Sequence, residues 1–171
     1  MVRIGVAAGV LAAGAVLVAA GVVGAPAGGE AAPTMRYSPP LAAPVTVARP
    51  FDGPPQPWAP GHRGVDLAAR PGQAVHAPGG GVVTFSGTVV DRGVLTITHD
   101  DGLRSSLEPV TTMLAAGQRV LPGQVIASVT SVAGHCAPAT CLHWGLRRGE
   151  TYLDPMRWVL DRGPVVLLPA G

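Results

Sequence analysis

His135-Cys136-Ala137-Pro138-Ala139-Thr140-Cys141-Leu142-His143-Trp144-Gly145-Leu146-Arg147 (HCAPATCLHWGLR) holds both cysteines of the chain and two of its five histidines. Its second half alternates. Leu142, Trp144 and Leu146 fall on one face of a strand, and Cys141, His143 and Arg147 on the other. The first face reads as core and the second as a site. Between the cysteines, Ala-Pro-Ala-Thr is turn-forming.

Working outward, short apolar runs recur between Gly and Pro signals: Gly64 to Leu67, Ala74 to Ala77, Val82 to Ser86, Val94 to His99, Val120 to Leu121 and Val125 to Val129. Their spacing and punctuation predict an all-β domain. Gly79-Gly80-Gly81 and Asp100-Asp101-Gly102 read as tight turns. A β-like run at Val45 to Val47 precedes a proline-rich loop carrying Phe51 and Trp58, which either walls a groove or covers a small core. Helical periodicity is confined to a short turn expected over Asp154 to Leu160. The 24 glycines, 18 prolines and 4% aromatic content agree with short strands and many turns. A net charge of +2, with all twelve basic residues arginine, gives no basic stripe for nucleic acid.

Four segments follow. Residues 1–27 carry Arg3, an apolar run from Ile4 to Ala25, and Ala25-Pro26-Ala27, a small-x-small pattern suited to signal peptidase. This predicts export, with residues 1–27 a signal peptide or an N-terminal anchor. The run also approaches the roughly 20 apolar residues that span a bilayer, so membrane attachment through residues 4–25 stays open. Residues 28–44 read as a Pro/Ala-rich linker, 45–162 as the β domain and 163–171 as an apolar tail. Beyond the membrane two cysteines can pair.

In Gly61-His62-Arg63-Gly64-Val65-Asp66, a histidine and an aspartate stand four residues apart, with one glycine before the pair and one within it. With His143 they would offer zinc two nitrogens and an oxygen, leaving a fourth position open. HRGVDLAARPGQAVHAPGGGVVTFSG, GQRVLPGQVIASV and LHWGLRRGETYLDPMRWV together resemble, in order from about Val45 to Leu160, the lysostaphin/LytM-type zinc endopeptidases that cut bacterial cell-wall peptides. The resemblance implies a compact antiparallel β domain with a groove over the metal, His62, Asp66 and His143 as zinc ligands, and peptidoglycan peptide as partner.

Two positions depart from that family. Its closing strand carries His-x-His, the first histidine near the attacking water; here the spacing reads Cys141-Leu142-His143. Its Tyr-x-His-Leu segment is replaced by Leu103 to Val110, with Pro109 at the histidine position and Glu108 as the nearest titratable group. A disulfide between Cys136 and Cys141 is expected, stabilising by about 2 kcal/mol on the chain-entropy model; the alternative is a Cys141 thiolate as fourth ligand in a closed structural site. His135, beside Cys136, either returns an imidazole to the vacated place or faces solvent. His76 and His99 read as surface strand residues.

Two readings lead. One is an exported zinc endopeptidase acting on peptidoglycan with His135 or Glu108 as acid/base. The other is a zinc-binding relative that binds wall peptide or regulates a hydrolase without cutting. A metal-free structural envelope domain is the third. The sequence does not fix an oligomeric state.

Overall fold

The computed structural model describes residues 37–56, 58–131 and 136–159, all within one compact unit of the chain. The expected signal segment, His135 and the apolar tail lie outside the described residues. In chain order the strands are β1 (Val47–Arg49), β2 (Val65–Ala68), β3 (Ala74–His76), β4 (Gly81–Val89), β5 (Arg92–His99), β6 (Arg104–Glu108), β7 (Val110–Thr111), β8 (Arg119–Val120), β9 (Val125–Val129), β10 (Cys141–Arg148) and β11 (Thr151–Leu153). A 3-10 helix, Pro155–Trp158, follows, with the Asp154 carboxylate accepting from the Met156 amide as its N-cap.

The larger sheet runs β1-β2-β10-β6-β5-β4-β8, with β11 also paired to β10. Its pairings are antiparallel. A smaller antiparallel sheet runs β3-β9-β7. The all-β antiparallel expectation is borne out. The inward residues of β10, Leu142, Trp144 and Leu146, join Leu67, Leu95, Ile97 and Leu107 of neighbouring strands and Val75, Ile126 and Val129 of the small sheet in one apolar core. Alternation along β10 is therefore a consequence of one face being covered.

The structure corrects several expectations. Tyr37 and Leu41, placed in the linker 28–44, are buried in that core. The Tyr37 hydroxyl donates to the Asp101 carboxylate at 2.8 Å, and its amide bonds the Trp158 carbonyl at 2.8 Å. Pro/Ala-rich composition speaks for a tether and does not reveal two inward side chains. Strands β6, β7 and β11 are not signalled by apolar runs; in β6 the inward residue beside Leu107 is Ser105, so the apolar alternation is broken. The first strand begins two residues later than expected, at Val47. Trp58 is 81% exposed and covers nothing, whereas Phe51 packs against the core.

β4 and β5 are joined by Val90-Asp91, a two-residue turn fixed by the pairing of Val89 with Arg92. Val90 adopts φ 59°, a left-handed conformation that crowds a β-branched side chain.

Candidate metal centre

The outward face of β10 carries the site. His143 lies opposite Asp66 of β2 on one side and Glu108 of β6 on the other, so the pairing sets Asp66, His143 and Glu108 in one row across three strands. His143, Gly145 and Arg147 line a groove of about 370 Å³ whose walls include Glu108 and Tyr152.

His62 comes from the loop before β2. Its backbone is clamped to Asp52, with N–H to carbonyl distances of 2.7 and 3.0 Å, and its Nδ1 lies 2.6 Å from the Pro50 carbonyl. A carbonyl only accepts, so Nδ1 carries the hydrogen, and in the neutral ring Nε2 presents a lone pair. That nitrogen sits 3.1 Å from Asp66 Oδ1 and 3.2 Å from His143 Nδ1, while His143 Nδ1 is 2.8 Å from the same carboxylate oxygen.

These separations bear on whether a metal fits. Donors about 2.0–2.1 Å from a tetrahedral zinc stand about 3.3 Å from one another, close to the three edges seen here. Three electron-rich atoms brought together at 2.8–3.2 Å repel unless a cation or protons stand among them. The Nδ1–H bond to the Pro50 carbonyl is also the kind of outer contact that fixes the orientation of a ligating histidine. Two buried residues, His62 and Asp66, and the half-buried His143 thus offer a donor set suited to zinc.

Gly64 makes room for it. A Cβ there would lie 2.7 Å from His143 Nε2 and would press on the Trp144 carbonyl. In the sequence this glycine only stands between His62 and Asp66; the close approach becomes visible once β2 and β10 are paired.

Cys136 and Cys141 are joined, with sulfurs 2.03 Å apart, and both lie near the Asp66 carboxylate. With its sulfur bonded to Cys136, Cys141 presents no thiolate to a metal in this structure. Glu108 accepts from Arg92 Nε at 3.1 Å, which raises the Arg92 pKa through that hydrogen bond and its charge.

Beneath the site runs a polar chain that the sequence does not suggest. Trp144 Nε1–H donates to Ser105 Oγ at 3.1 Å, Ser105 Oγ lies 2.7 Å from His99 Nε2, and His99 Nδ1 lies 3.1 Å from the Gly80 carbonyl. His99, expected on the surface, is buried, and desolvation lowers its pKa. A histidine ending a strand before a turn gives no sign of buried partners, which is why its sequence context points outward. His76 is partly exposed, with Nδ1 3.0 Å from the Gly123 carbonyl.

The sequence profile of peptidase family M23 matches residues 60–155, a span that contains His62, Asp66, Glu108 and His143. The chain belongs to peptidase family M23. An uncharacterized protein of Mycobacterium tuberculosis is 44% identical to this M23 chain over 136 residues, which are 76% of this chain and 53% of that protein. The murein hydrolase activator NlpD of Escherichia coli is 32% identical over 106 residues, 60% of this chain and 27% of NlpD. The chain thus spans about half, or less, of the length of these relatives. In fold it is similar to the catalytic domain of the antimicrobial peptidase lysostaphin from Staphylococcus simulans, with a TM-score of 0.56 and 22% identity over 66% of this chain and 90% of that domain.

Proposed function

We propose that this M23 chain is a zinc-dependent endopeptidase of peptidoglycan peptides working in the cell envelope. The observation that carries the reading is the convergence of His62 Nε2, Asp66 Oδ1 and His143 Nδ1 beside a groove lined from His143 to Arg147. Membership of M23 supports the peptidase reading, and NlpD, a murein hydrolase activator, supports an address in the wall. Residues 1–27 would direct export, with 4–25 as the anchor if they are retained.

In this reading His62, Asp66 and His143 hold zinc, which supplies Lewis-acid activation of water and of the peptide carbonyl. The Pro50 carbonyl keeps the His62 Nε2 lone pair turned toward the centre. Glu108, across the ladder from His143 and held by Arg92, would take the proton from water and return it to the leaving amine. His135, preceding the disulfide-closed loop, is the other candidate for that work.

A second reading is favoured by one specific feature. Cys141 occupies the place of the first histidine of the related His-x-His motif and is tied to Cys136. On that ground the chain would bind wall peptide, or regulate a hydrolase, while retaining zinc.

The test is release of new peptide ends from purified peptidoglycan by the zinc-loaded chain, beside His143→Ala, Glu108→Gln and His135→Ala, with zinc per chain measured for each. Release that disappears with zinc in His143→Ala supports the endopeptidase. Loss in Glu108→Gln or His135→Ala with zinc retained identifies the acid/base. Equal release by wild type and His143→Ala removes the hydrolase reading. Zinc-dependent binding without release selects the second.

A further inference from the structure

The groove that begins at His143 ends in an arrangement the metal centre does not use. β6 and β10 pair so that Arg104 stands directly opposite Arg147, and both line the groove. Like charges directly opposite in an antiparallel ladder destabilise it. Arg147 has Glu150 3.5 Å away, but that carboxylate is 93% exposed and screened by water. No ion pair forms at Arg104 among the described residues. A third guanidinium, Arg63, lies over the Tyr152 ring, 5.7 Å from its centroid, on the same wall.

Between the arginine pair and the metal centre, Ser106 lies opposite Gly145. These small residues leave a trough. From His143 to Arg147 is four residues of strand, about 13 Å, or about four residues of an extended chain.

We propose that Arg104 and Arg147 form an anion subsite that takes a carboxylate of the peptide lying in this trough, so that the chain selects acidic peptides with the charge some four residues from the metal centre. The step rests on reading the groove as a peptide site. Two guanidinium forks facing one another across a ladder match the oxygens of one carboxylate, and the anion cancels the repulsion between them. A neutral peptide would leave it standing.

The test is binding, read by calorimetry on the zinc-loaded chain, with the muropeptides recovered after each titration to show that none was cut. The probes are soluble muropeptides with free carboxylates, the same muropeptides amidated with carbodiimide and ammonia, and tri-glutamate as an acidic peptide unrelated to the wall. Wild type should bind the free-carboxylate form about tenfold or more tightly than the amidated form. Arg104→Gln/Arg147→Gln should abolish the preference while zinc per chain is unchanged and the melting temperature holds or rises. Arg104→Glu, which turns the cross-strand pair attractive, keeps the sheet folded and should lose the preference as well. Equal affinity of wild type for the two forms, or a preference that survives in the variants, overturns the subsite. Tri-glutamate bound through the arginines without either muropeptide leaves the subsite standing and removes the wall reading. Binding of no probe removes both.

Discussion

Replacing Ser105 by alanine cuts a chain of hydrogen bonds whose direction is fixed at both ends. The Trp144 indole only donates and the Gly80 carbonyl only accepts, so the Ser105 hydrogen must go to His99 Nε2 and the His99 hydrogen to Gly80. Ser105, Trp144 and His99 are all buried, and water cannot replace the lost oxygen without being brought into the core. Ser105→Ala therefore leaves one donor and one acceptor unsatisfied, each costing about 1–3 kcal/mol. We expect a loss of about 3 kcal/mol and, at about 4 °C per kcal/mol for a domain of this size, a drop in Tm of about 12 °C. Urea unfolding followed by tryptophan fluorescence and by circular dichroism measures it. Ser106→Ala is the internal control. Its hydroxyl, 3.2 Å from Thr96 Oγ1, points to the groove side, and its loss should cost about 0.5 kcal/mol. A Ser105→Ala loss no greater than that of Ser106→Ala would refute the account of the buried chain.

Acid should weaken the fold through His99: its folded pKa lies below the ordinary value of 6.5, so the unfolded state binds more protons in that window. The contribution is complete above about pH 6.5 and falls as pH drops from there toward the folded pKa; His99→Gln should flatten that part of a stability-against-pH curve. Gly64→Ala puts a methyl 2.7 Å from His143 Nε2, and zinc affinity measured against a chelating indicator should fall by about 10–100-fold, more than the change in Tm accounts for. Val90→Asn relieves a left-handed valine that is 91% exposed and should raise stability by about 1 kcal/mol in urea unfolding, with zinc binding unchanged.

Periodicity reveals β10, because Leu142, Trp144 and Leu146 are all large, apolar and inward. It fails at β6 for the opposite reason: Ser105 faces inward to serve Trp144 and His99, and a polar residue at a core position erases the signal. The candidate ligand set is within reach because His62 and Asp66 sit four apart in a glycine-rich segment that resembles a family motif, with His143 on the polar side of its strand. The arginine pair is out of reach. Arg104 and Arg147 become neighbours only through a strand register that no local pattern encodes. Tyr37 and Leu41 are hidden in a stretch whose composition speaks for a tether.

β10 occupies the middle of the larger sheet, between β2 and β6, yet among the described strands only β11 follows it in the chain. Its His143 lies 77 residues after Asp66. A ribosome that has released everything up to Ser131 has produced two groups of strands with a gap where their shared neighbour belongs, and two of the three converging side chains. Closing that gap is a long-range event, slow compared with hairpin formation. Zinc held as proposed would then report that β10 has been made, since a product truncated before Cys141 carries the His62–Asp66 pair without His143. The same order makes the chain divisible, and a 136–159 peptide added to a 37–131 fragment should restore both the sheet and the site in one step.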